Sequence, residues 1–271
     1  MPITSSDIAV EAPLQRSPPS LLTLISIAAV AAAFAGIARE VIGHAIADRL
    51  IAADWFSHST FFAQVNTPAR LAGACGTLSN LVLGGLAALL VRVDKRFTPG
   101  WYLLWVFGCV SLMNSGRLLY SAISGLGDLS VVIAAFHPPW LWRILLAVAG
   151  IFIYRPALRF AVTALRDLLV RGEVAYRDLW RLTLAAYFTA SVLLTAGALL
   201  NPVNSGLVGI GVVAASFGLN FGLLLIPAFL SQPVESEPIV TRSLPFNWFW
   251  FSCGLVAAVA FLAGLGRVIR F

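Results

Sequence analysis

Residues 36–48 read GIAREVIGHAIAD. Three ionisable side chains, Arg39, Glu40 and His44, stand here inside an apolar run that begins near Leu21 and continues to Ile51. A charged side chain at the centre of a bilayer costs roughly 2.5 to 3.5 kcal/mol on insertion scales, so each of these must face a partner and not lipid. On an α-helix Glu40 and His44, four positions apart, share one face a turn from each other. That is the spacing with which a helix offers two ligands to one metal.

The rest of the chain fits a membrane setting. Hydrophobic residues make up 59% of the 271 and charged residues only 11%, against roughly 45–50% and about 25% in soluble domains. The apolar runs are about 20 residues or longer, enough to cross a hydrocarbon core of about 30 Å, so the expected fold is all-α: a polytopic transmembrane helical bundle of about six to seven spans. The spans fall at 20–51, 71–91, 101–121, from Pro138 onward, 182–200, 206–230 and 246–265. Residues 1–19, polar and containing Pro and Ser, read as a disordered cytoplasmic tail, and 20–271 as the bundle. A signal peptide cleaved near Ala35 is disfavoured, because Arg16 is the only basic residue ahead of the apolar run and Asp7 and Glu11 oppose it.

The net charge of +6 does not imply a nucleic-acid partner. Its arginines concentrate in short segments between apolar runs, where they act as orientation signals. Arg92, Lys95 and Arg96 place the loop after the second span in the cytoplasm, and the N-terminus with it; Arg155, Arg159, Arg166, Arg171, Arg177 and Arg181 mark a second cytoplasmic segment. The expected location is an integral membrane protein of plasma-membrane type, with the lipid bilayer as its partner.

Laid on helical wheels, the first three spans each carry a narrow stripe of small and polar residues: Gly36, Glu40, Gly43, His44 and Ala47; Gly73, Thr77, Asn80 and Gly84; Ser111, Asn114, Arg117 and Ser121. Small residues let helices approach closely, and Asn or Arg on such a stripe must find partners there. The stripes are expected to face one another. Asn80, Asn114 and Asn220 could serve as packing and hydrogen-bonding devices alone, and Arg39 with Glu40, or Arg117 with Glu40 or Asp128, could form buried ion pairs and nothing more.

Three stretches, in this order, resemble the site-2-protease-type intramembrane metallopeptidases. REVIGHAIA is similar over its second half to that family's HExxH helix, which supplies two His ligands and a Glu base. AGACGTLSNLVLGG is similar to its Gly-and-Asn motif, with Asn80 in place, and NSGRLLYSAISGLGD ends in Asp128 where the family has an Asp ligand. The likeness covers about residues 20–140. It implies a divalent metal, zinc or equally iron or manganese, held by Glu40, His44 and Asp128. Asn80 and Asn114 would support the ligands, Arg39 and Arg117 would balance the carboxylates, and a membrane-embedded peptide would be the substrate.

Aligned on Gly43-His44, Glu40 falls at the first His ligand and Val41 at the Glu base, and valine cannot take a proton. The resemblance therefore implies a divergent and non-proteolytic relative, its enzymatic status open. The strings Gly125–Asp128 and Pro156–Leu158 match the GxGD and PAL of presenilin-type proteases, but no second Asp lies in a neighbouring span. A transporter or channel-like bundle lined by Arg39, Glu40, Asn114 and Arg117 is the alternative.

Overall fold

The computed structural model describes residues 18–45, 55–58, 63–65, 70–134, 136–200, 206–230 and 243–264. Helix α1 spans Leu21–Ile37 and runs on without a break as a π-helix over Ala38–Ala45. Two short antiparallel strands follow, β1 at Trp55–His58 and β2 at Ala63–Val65, with Ser57 opposite Gln64. Then come α2 (Arg70–Val93), α3 (Pro99–Met113), α4 (Gly116–Ser124), α5 (Asp128–Ile133), α6 (Pro139–Val170), α7 (Leu179–Leu199), α8 (Gly206–Leu225) and α9 (Trp248–Gly264).

Among the described residues, five helical stretches are long and apolar enough to cross a membrane: Leu21–Gly43, Ala74–Val93, Pro99–Ser124, Pro139–Val170 and Tyr176–Leu199. Shorter apolar helices, Val213–Phe229 and Trp248–Gly264, stand where the sequence suggests a sixth and a seventh span.

Local chemistry starts these helices where it should. Ser20 accepts the Thr23 N–H at the head of α1, and Thr98 accepts the Trp101 N–H at 3.1 Å with Pro99 in the first turn of α3. Such caps satisfy backbone donors that have no partner within the helix.

Helix α1 is apolar all round and sits in the middle, packed by α3, α7 and α9. A helix without a polar face needs burial on every side. Leu24, Ile27, Ala28 and Ala31 are fully enclosed, and the run of alanines keeps α1 thin enough for three neighbours to close on it. Helix α9 runs parallel to it: the Ser20 N–H donates to Leu244 O at 2.7 Å and the Asn247 N–H to Thr23 Oγ1 at 3.2 Å near the start of both helices. Farther along, Gly254 lies against Ser26 and Gly36 against Phe261.

The opposite flank is held by aromatic residues of α3. The Tyr102 hydroxyl donates to Leu182 O at 2.8 Å and the Trp105 ring N–H to Ala161 O at 3.3 Å, while Trp101 stacks on Trp105. The polar tips of Tyr102 and Trp105 thus find acceptors on neighbouring helices.

Two helices depart from expectation. The first was expected to remain α-helical to Ile51; it changes to π at Ala38, and residues 46–54 lie outside the described residues. The fourth was expected to give way to a basic cytoplasmic segment at Arg155; α6 instead continues to Val170, 32 residues in all. At about 1.5 Å per residue it is roughly 48 Å long, well beyond a hydrocarbon core of about 30 Å. The extension holds because Ala157, Phe160, Ala161, Leu165 and Leu168 bury one face while Arg155, Arg159 and Arg166 stay on the other.

Adjacent glycines in α2 test this packing. A methyl group on Gly84 would come within 2.8 Å of Ser111 Cβ, whereas one on Gly85 meets nothing within 4 Å. Gly84→Leu is expected to destabilise the purified protein by about 1–3 kcal/mol through overpacking, with Gly85→Leu close to wild type. Thermal unfolding in detergent measures both, and equal losses would show that α2 and α3 do not meet as described.

Candidate functional site

Near the far ends of α1, α3, α7 and α9, polar side chains gather around one internal cavity. Arg39 and Glu40 come from the π-helical stretch, Asn80 from α2, Asn114 and Arg117 from the junction of α3 and α4, and Asn220 from α8. Ala35, Gly36, Val110, Leu194, Leu219 and Phe261 complete the lining. The cavity measures about 20 Å³, enough for about one water, which requires two to four polar partners of the kind found here.

The backbone is irregular on two sides of this cavity. A π-helix bonds i to i+5 in place of i to i+4 and is found mostly as single turns at functional sites; here it extends over eight residues. Across the cavity the span Pro99–Ser124 is interrupted at Asn114 and Ser115, where the Arg117 N–H donates to Asn114 O and the Leu118 N–H to Ser115 O, both in the tighter i to i+3 pattern. Irregular backbone at membrane depth is tolerated where protein buries it or where it lines a cavity.

The π-helical stretch is braced by α2. Ser79 Oγ lies 2.9 Å from both Ala38 O and Gly76 O, so its one proton serves either carbonyl. A methyl group on Gly43 would come within 2.4 Å of Gly76 Cα, so the two backbones touch there and only glycine fits.

Arg39 and Glu40 form an ion pair through Nη1 and Oε1, and each is about 3% exposed or less. Adjacent residues on an α-helix do not face each other, yet these two meet within the π-helical stretch. Arg117 Nε donates to Asn114 Oδ1. The Asn220 amide donates to Ser216 O at 3.1 Å and to Ser191 Oγ at 3.3 Å, which ties α8 to α7. Asn80, only 1% exposed, has no hydrogen-bond partner for Oδ1 among the described residues. It lines the cavity, and a buried amide oxygen in that position calls for a donor there.

Of the residues singled out in the sequence, the structure brings together Arg39, Glu40, Asn80, Asn114 and Arg117. The side chains of His44 and Asp128 lie outside the described residues. By backbone, position 44 belongs to the π-helical stretch, and Asp128 opens α5, which packs on α2. Among the described residues no group of three or more His, Cys, Asp or Glu side chains could hold a metal. Asn220 is a polar lining residue that the stripe analysis left out. Its signal was present, one amide in an otherwise apolar run, but nothing local ties residue 220 to residue 40.

The described donor set does not suit a divalent cation. Two guanidiniums offer no lone pair, the single carboxylate is engaged by one of them, and three amides are weak ligands. What the arrangement can do is hold a small polar guest, or keep a charge pair apart from lipid. No protein-family model, curated protein or solved structure matches the chain.

Breaking a buried ion pair by removing one partner costs about 3–5 kcal/mol, whereas replacing both by apolar groups is near neutral. Arg39→Met and Glu40→Leu are each expected to destabilise strongly, and the double variant much less than their sum. A double-mutant cycle by thermal unfolding reads this, and additive losses would mean that the two charges do not support each other.

Proposed function

We propose that this chain is a non-proteolytic relative of the site-2-protease-type intramembrane metallopeptidases, with the Arg39 guanidinium occupying the place of the metal. The observation that carries the reading is the π-helix over Ala38–Ala45. In an α-helix residues four apart fall in register; with i to i+5 bonding the register falls five apart. HExxH sets its two His four apart, and here positions 39 and 44, five apart, take the equivalent places. The wider turn absorbs one extra residue.

In that register Arg39 replaces the first His ligand, Glu40 takes the position of the Glu base, and Gly43-His44 match the family's Gly-His. This revises the alignment without an inserted residue, which assigns the base position to Val41. Burial favours the revision: Glu40 is 3% exposed and lines the cavity, whereas Val41 is 43% exposed on the outside of the helix.

Arginine stays protonated in proteins and cannot donate a lone pair to zinc. Its fixed charge neutralises Glu40, so the carboxylate is engaged and not poised to draw a proton from water. The chain would hold a membrane-embedded segment without cutting it. Six or seven crossings, with the Arg92–Arg96 end in the cytoplasm, belong to the same proposal.

Metal analysis of purified protein tests it. Wild type is expected to carry no stoichiometric zinc, and Arg39→His to acquire it, because the substitution restores an imidazole at the first ligand position. Stoichiometric metal in the wild type that is lost in His44→Ala would sink the proposal and favour a metal site built from Glu40, His44 and Asp128.

A further inference from the structure

A second cavity lies at the opposite end of the bundle, between the C-terminal turns of α2 and α6. It measures about 220 Å³, smaller than the roughly 300 Å³ or more of a drug-sized site. Its charged lining is Arg92, Lys95 and Arg171 with one carboxylate, Asp167, and its inner wall is Trp101 and Phe160. Three cations against one anion leave an excess of positive charge in a walled cleft.

Orientation signals alone require arginines near this surface, not a walled site. Two observations go further. Arg171 Nε is buried and has no hydrogen-bond partner among the described residues, which leaves a donor aimed at nothing in a half-buried guanidinium. The walls are also fixed in place: the Phe97 N–H donates to Glu173 Oε2 at 3.4 Å and so joins the segment before α3 to the turn after α6. That turn depends on Gly172 at φ +67°, a conformation that favours glycine.

We propose that this cleft binds a phosphate group, the headgroup phosphate of an anionic phospholipid. Guanidinium forks match phosphate oxygens, and Arg171 Nε gains the acceptor it lacks. Basic pockets between membrane helices on the side of an anionic leaflet take such headgroups. The apolar wall of Trp101 and Phe160 lies beside the charges, as the glycerol and upper acyl chains of a lipid require and a free phosphate does not.

The test uses the full chain in nanodiscs of phosphatidylcholine with or without phosphatidylglycerol, followed by native mass spectrometry of the lipid kept after transfer to detergent. Wild type is expected to keep phosphatidylglycerol selectively. Retention should fall about fivefold for each cation removed in Arg92→Gln, Lys95→Gln and Arg171→Gln. Arg171→Lys, which keeps the charge but lacks Nε, should lose part of it, and Arg166→Gln, outside the cleft on the same helix, should match wild type.

Inorganic phosphate at millimolar concentration separates the sources. Failure to displace the lipid supports the lipid headgroup, and displacement with bound phosphate supports the phosphate site while overturning the lipid as its occupant. Equal retention of both lipids by wild type, or unchanged retention in the folded Arg92→Gln and Arg171→Gln variants by circular dichroism and gel filtration, overturns the proposal.

Discussion

An ion pair between neighbouring residues, Arg39 and Glu40, has to be accommodated among the packed helices near one end of an apolar bundle, and much of the structure answers that need. Neither side chain can reach water, so each must find its compensation among protein groups. The first helix widens to a π-helix where the pair occurs, and α2 comes close enough to brace it through Ser79 and the Gly43–Gly76 contact. Across the cavity the third span gives up its regular ladder at Asn114 and Ser115 and presents Arg117 and Asn114 as a second bonded pair. Irregular backbone on two sides of a polar cavity costs hydrogen-bond regularity, and in lipid such a cost is met only where protein groups take the place of water.

The architecture around the pair follows from how thin α1 is. With alanine at most buried positions it can be enclosed by α3, α7 and α9 together, so its charged continuation is carried into the interior of the bundle instead of its edge. The polar contacts that join the flanking helices recruit backbone acceptors, as with Tyr102 to Leu182 and Trp105 to Ala161. The result is two polar regions at opposite ends. One is small and nearly charge-balanced; the other is larger, basic and lies beside the arginine-rich ends of α2 and α6.

At the polar cavity the positive charge beside the Glu40 carboxylate comes from arginine. A guanidinium supplies positive charge to the carboxylate next to it but neither coordinates nor activates water. Burial makes the pair costly to dismantle, and of the surrounding amides Asn114 and Asn220 are engaged while the Asn80 Oδ1 has no partner among the described residues.

The sequence by itself determined the all-helical membrane class, because runs of apolar residues longer than the bilayer is thick admit no other backbone arrangement. It also placed Glu40, Asn80, Asn114 and Arg117 on helix stripes, since a helical wheel needs only local spacing, and set Arg39 beside Glu40 by sequence alone. Three features depended on the folded chain. The change to π-helix at Ala38 could not be read from periodicity, because a one-residue widening of the turn leaves the apolar pattern unchanged while altering which residues stack. The continuation of α6 past Arg155 was hidden because its arginines resemble a loop unless the buried face of Phe160 and Leu165 is seen. Asn220 joined the cavity from more than a hundred residues away, and a contact of that range is set by how helices pack, which the local sequence of neither partner encodes.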